Sequence, residues 1–172
     1  MKQVSIENPV LNSAFTEPRR HYRVTDEGIT DEIVESRRIS SYFVPVPQPR
    51  KRGKDKQLVF ETEWTKDRIE ENKFINQGRG RVALWRQGNY TGITKTTRRL
   101  LEYWTNPQRE NKLFFCQIEA METAIYITEA AGKCGDSWIE NEIRQANEGA
   151  NPGVYRIAFK MATGSGKTVV MA

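Results

Sequence analysis

The sequence predicts a mixed α/β chain in three stretches: an extended or β segment over 1–60, a mainly helical region over 61–150, and a strand running into a phosphate-gripping turn over 151–172. Three observations lead there. Prolines interrupt short alternating apolar runs near the start, apolar residues recur at helical spacing in the middle, and "VYRIAFKMATGSGKT" alternates before a glycine-rich turn at the end.

In the first stretch, "HYRVTDEGITDEIV" reads as a strand, a turn at Asp26 to Gly28, and a returning strand. "YFVPVPQP" alternates Tyr42, Val44 and Val46, but Pro45, Pro47 and Pro49 have no N–H for a sheet ladder. That segment is therefore expected as an edge strand or an extended strap lying over the rest.

Helices are expected after "ETEW". Thr65 suits an N-cap with Asp67, Glu70 and Glu71 in the early turns, and Trp64 stands where it can staple Ile69. Gly78 and Gly80 predict a weak middle or a break. A second helix starts at Thr94, buries Leu100, Leu101 and Trp104, and stops before Pro107. The strongest periodicity, Phe114, Ile118, Met121 and Ile125, predicts a helix over 113–131 ending at Gly132. In "SWIENEIRQANEG", Ser137 and Glu140 form a capping-box pattern and Gly149 a stop.

Tyr155, Ile157, Phe159 and Met161 alternate with Arg156, Ala158 and Lys160, which predicts a strand leading into "ATGSGKT". Such a strand, turn and helix start is the setting a phosphate-binding loop requires. Gly164 and Gly166 let the backbone turn its N–H groups inward, and the positive end of the following helix backs them. Lys167 brings a full positive charge to the phosphates, the Thr168 hydroxyl can ligate Mg²⁺, and Thr163 and Ser165 line the loop. The strict GxxxxGK[ST] spacing fails at its first position, where this chain has Met161.

Composition narrows the classes further. Hydrophobic residues make up 37% and charged residues 28% of the 172, which suits a folded chain rather than a disordered one. No apolar run approaches the roughly 20 residues that span a bilayer, and the start lacks the apolar core of a secretory signal, so a cytoplasmic protein is expected. Two cysteines outside any CxxC pair and a single histidine, His21, argue against a disulfide framework or a thiol or histidine metal site. The net charge of +5 is concentrated: Asn72 to Leu101 has no acidic residue but contains Lys73, Arg79, Arg81, Arg86, Lys95, Arg98 and Arg99. Arg79, Arg81, Arg86, Arg98 and Arg99 are candidate contacts to DNA phosphates, solvated helix faces being the plain alternative. "PRKRGKDK" is a second basic cluster.

"MATGSGKT" resembles motif I of superfamily 2 helicases and translocases, and "LFFCQIEAMETAIYI" is similar to their upstream glutamine motif. By that resemblance Gln117 would read the adenine edge, accepting from N6 and donating to N7. Together with "ENPVLNSAFTEPRRHYRV", "SSYFVPVPQPRKRG" and "TRRLLEYWTNP", these runs resemble the N-terminal region of the restriction subunit of type III systems and related DEAD/DEAH-box helicases. The resemblance implies the first strand and loop of a RecA-like domain, ATP and Mg as cofactors, DNA as substrate, and a modification or specificity subunit as partner.

Hydrolysis in this class needs an acidic pair on a later strand, one carboxylate for Mg²⁺ and one for the attacking water. Asp26, Glu27, Asp31 and Glu32 precede the loop and follow no apolar strand, so they read as turn and surface residues. The expectation is an N-terminal fragment of a longer motor, with no catalytic residues of its own. A non-catalytic DNA-binding or subunit-docking module, resting on the basic stretch with Trp85 and Tyr90, is the alternative; a small-molecule kinase is a third.

Overall fold

A computed structural model describes residues 6–25, 28–44 and 68–171. The chain divides into two compact units, one formed by Met1–Leu11 and Arg19–Asn76, the other by Asn12–Pro18 and Gln77–Ala172.

Among the described residues the first unit holds two antiparallel two-stranded sheets. β1 (His21–Thr25) pairs with β2 (Gly28–Val34), from His21 opposite Val34 to Thr25 opposite Gly28, with a bulge between Tyr22 and Val24. This is the predicted strand and return; Asp26 and Glu27 of its turn lie outside the described residues. At the bulge the Thr30 hydroxyl donates to the Arg23 carbonyl at 3.0 Å, and Arg23 meets Glu32 at 2.7 Å. Asp31 and Glu32 are exposed on β2.

β3 (Ser41–Val44) pairs with β4 (Arg68–Glu71), Ser41 opposite Glu71 and Val44 opposite Arg68. Pro45, Pro47 and Pro49, together with Trp64, Thr65 and Asp67, lie outside the described residues. Ile69, Glu70 and Glu71 are strand, not the first turns of a helix. Pairing with β3 overrides their local helix preference. Asn76 reinforces the junction, its amide donating to the Ser40 carbonyl at 3.1 Å while its side-chain oxygen accepts from Ser40 N–H at 2.8 Å. The Tyr42 hydroxyl donates to Glu70 at 3.0 Å, and that bond to a carboxylate raises its pKa.

The second unit is helical. α1 (Lys73–Gln87) begins in the first unit and runs unbroken through Gly78 and Gly80, because Val82 and Trp85 anchor its later turns in the core. α2 (Lys95–Thr105) starts as the sequence predicts, with the Thr94 hydroxyl accepting from Thr97 N–H at 3.2 Å. It buries Leu101 and half-buries Trp104, whereas Leu100 is 43% exposed. Its apolar face is thus one residue wide there.

α3 (Phe115–Ile125) continues into a π-helical turn, Tyr126–Ala130, closed by Ala131 N–H to Tyr126 C=O at 2.7 Å. The predicted stripe of Phe114, Ile118, Met121 and Ile125 is only half-buried. Gln117, Ala120, Glu122, Tyr126, Ile127 and Ala130 are the buried side chains, so the buried face combines small, polar and large apolar residues. Tyr126 packs on Trp85 with ring centroids 5.2 Å apart.

α4 (Ser137–Ala150) is capped by position at Asp136, one residue before the predicted Ser137, and Gly149 lies inside it. Glu140 pairs with Arg144 at 2.6 Å instead of closing a capping box. Asp136 accepts from Tyr126 O–H and, at 3.1 Å, from Trp138 Nε1, which ties the α4 start to the π turn.

Residues Val154 to Met161 form no strand. The Asn147 carboxamide takes the place of a ladder partner, donating to the Arg156 carbonyl and accepting from Arg156 N–H, both at 2.9 Å. The Arg144 guanidinium stacks 4.8 Å over the Tyr155 ring, whose burial raises its pKa. Alternation alone cannot make a strand; a second strand must satisfy its backbone. α5 (Lys167–Met171) follows the glycine turn and packs against α3. Among the described residues no helix is long and apolar enough to cross a membrane.

Candidate nucleotide-binding site

The "ATGSGKT" turn is built by two left-handed glycines, Gly164 at φ 80° and Gly166 at φ 70°. A side chain would strain both positions. Between them Ser165 folds back, its N–H and hydroxyl both reaching the Ala162 carbonyl, at 3.3 and 2.7 Å. Val169 N–H to Gly166 C=O at 3.0 Å opens α5.

Lys167 points into this turn. Its Nζ donates to the carbonyls of Met161 at 3.2 Å and Ala162 at 3.0 Å. An ammonium has three N–H donors, so one remains for another acceptor. Lys167 and Thr168 are exposed, and so are Thr163 and Gly164, while Ser165 and Gly166 are half-buried.

Gln117 joins the loop although 48 residues separate it from Ser165. It is 4% exposed, in the first turn of α3. Its Nε2 donates to Ser165 C=O at 3.0 Å and Gly166 C=O at 3.3 Å, and its Oε1 accepts from Phe114 N–H at 2.9 Å. The last bond is the glutamine half of a capping box. A Cβ on Gly166 would stand 2.3 Å from Gln117 Nε2, so that glycine is needed for the close approach as well as for its φ.

Asn12–Pro18 braces the same corner. Phe115 N–H donates to Ala14 C=O at 2.8 Å, and the Phe15 and Phe114 rings lie 5.5 Å apart.

The five arginines proposed for DNA do not form one surface set. Arg86 is committed to Glu122, which is fully buried. Its Nε lies 2.9 Å from both carboxylate oxygens and its NH2 2.5 Å from one, while Tyr90 O–H donates to the other at 2.6 Å. Burial, then the bond to Glu122, raises the Tyr90 pKa. Burial works against the Arg86 charge, but Glu122 outweighs it and the Arg86 pKa is raised.

Arg98 donates to the carbonyls of Asn89 at 3.2 Å and Tyr90 at 3.0 Å, two residues in the left-handed region at φ 58° and 53°. It braces a strained turn. Arg81 pairs with Asp136 at 3.2 Å but keeps half its side chain exposed. Arg79 lies on α1, and Arg99 is exposed on α2.

The site and fold therefore define a mixed helix-and-sheet chain with a glycine–lysine turn tied to a buried glutamine. Compared with known proteins, the chain matches no family model, no curated protein and no solved structure.

Proposed function

We propose that residues 163–168 hold the triphosphate of ATP with its Mg²⁺, and that the chain is the nucleotide-binding part of an ATP-dependent superfamily 2 DNA translocase of the type III restriction kind. One observation carries the reading: Lys167 is folded back over a turn made by two left-handed glycines, with two of its donors on the Met161 and Ala162 carbonyls. Folded back in this way, the Lys167 ammonium stands at the turn where the anionic oxygens of a triphosphate would arrive, the place a phosphate loop gives its cation.

The residues present fit the cofactor. Lys167 supplies a donor and a charge for the terminal phosphates, and the exposed Thr168 hydroxyl suits Mg²⁺. Bound Mg-ATP would supply the free energy for movement along DNA. Turnover would need in addition a carboxylate for Mg²⁺ and one for the attacking water, and residues 163–168 contain neither, so binding without turnover is expected of these residues by themselves. On the DNA side, Arg99 is the first choice for a phosphate contact, because it is exposed while Arg86 and Arg98 brace the fold.

Equilibrium dialysis with Mg-ATP tests the proposal. The wild-type chain should bind and Lys167→Ala should lose about tenfold or more in affinity, a change of about 1.4 kcal/mol or greater. Equal binding by the two proteins would remove the loop from the nucleotide site.

A further inference from the structure

A carboxamide can accept through its oxygen and donate two N–H groups from its nitrogen. In Gln117 both N–H groups go to the Ser165 and Gly166 carbonyls, and Oε1 accepts from Phe114 N–H with one of its two lone pairs. The orientation is fixed by its partners. Flipping the amide would set its oxygen against two carbonyl oxygens and its NH₂ against an N–H, so only one assignment is consistent.

Reading adenine would require the same atoms, the oxygen to accept from N6 and the NH₂ to donate to N7. Freeing the NH₂ would break both bonds to the Ser165 and Gly166 carbonyls and release the loop from α3. The side chain is also 4% exposed, so a base edge cannot reach it in this arrangement. Gly166 is matched to this contact, since a Cβ there would meet Nε2 at 2.3 Å.

We infer that Gln117 is a positioning residue that pins the phosphate loop to α3 and does not read the base, so that its hydrogen bonds give the site no preference for adenine over guanine. The inference rests on the reading of residues 163–168 as a triphosphate site. It differs in what it says of the base: the glutamine acts on affinity for the phosphates, whatever nucleoside they carry.

The test measures dissociation constants of Mg-ATP, Mg-GTP and Mg-tripolyphosphate for the wild type, Gln117→Ala, Gly166→Ala and the double variant, with melting temperatures alongside. Wild type should bind ATP and GTP within about threefold of each other, and Gln117→Ala should weaken all three ligands by a similar factor, about tenfold. Gly166→Ala should weaken them at least as much, by displacing the amide and straining a left-handed position, and the double variant should lose less than the sum of the two single changes, as expected of groups that share one contact. A strong wild-type preference for ATP that disappears in Gln117→Ala would overturn the inference and make Gln117 a base reader. Unchanged affinity for all three ligands in a folded Gln117→Ala would overturn it too. Failure of wild type to bind even tripolyphosphate would instead sink the loop reading, and the inference with it. The wild-type ATP-to-GTP ratio decides the base question even if no variant folds.

Discussion

The Arg86 guanidinium straddles the Glu122 carboxylate, its Nε 2.9 Å from each oxygen, at a point where Glu122 has no exposure to solvent. The pair joins α1 to α3, and Tyr90 O–H completes the carboxylate's bonding. Removing one partner strands a buried charge, so Arg86→Ala should destabilise the chain by about 3–5 kcal/mol. Replacing both, as in Arg86→Met with Glu122→Leu, should recover most of that loss. Chemical denaturation of the three proteins checks the expectation; a loss under about 1 kcal/mol in Arg86→Ala would mean the pair is solvated.

That pair also shows where the sequence stops being informative. Thr94 as a helix cap, the antiparallel strands around Gly28, and the long helix ending near Gly132 are local signals, and each appears near its expected place. Partners distant in sequence were not legible. Glu70 and Glu71 look helical until β3 pairs with them, and the alternation of Tyr155 to Met161 looks like a strand until Asn147 is seen holding Arg156. The acid-free stretch suggested one basic surface, yet Arg86 and Arg98 turn inward. A signal for the first existed: Glu122 lies one helical turn from both Ile118 and Ile125 on α3, and a carboxylate buried among them needs a cation. For the candidate site, the loop and Gln117 were both visible in the sequence, but the contact between them was not.

Acid should act through Glu129. The Thr97 hydroxyl donates to it at 2.6 Å and Thr94 N–H at 3.0 Å, and these bonds hold its carboxyl below the ordinary 4.5. The folded state thus favours the charged form. Its contribution is present above about pH 4.5 and is lost as pH falls through the lowered folded value. Glu129→Gln should flatten the fall in stability across that window, measured by denaturation between pH 6 and pH 3, as orders of solution acidity go. An unchanged profile would mean that the cap is not coupled to Glu129.

Amide exchange should separate the two halves of the second unit. Residues 154–161 have no strand partner, whereas 115–130 carry continuous helical bonds. Exchange should be much faster over 154–161, apart from Arg156 N–H, which Asn147 protects. Uniform protection across 154–161 would show a sheet there.

For the DNA reading, Arg99→Ala should flatten the log–log salt dependence of duplex binding by about one unit, one phosphate contact's worth. Arg86→Ala should change stability instead of that slope. A slope untouched by Arg99→Ala would take Arg99 off the DNA surface.

Where a triphosphate settles on the chain decides its function. The direct measurement is the amide ¹H–¹⁵N spectrum of the whole chain during titration with Mg-ATP. The loop reading predicts that Gly164, Ser165, Gly166, Lys167 and Thr168 shift together and saturably, while α4 (Ser137–Ala150) stays in place. Saturable shifts confined to residues outside the loop, or no shift at any Mg-ATP concentration, would contradict it.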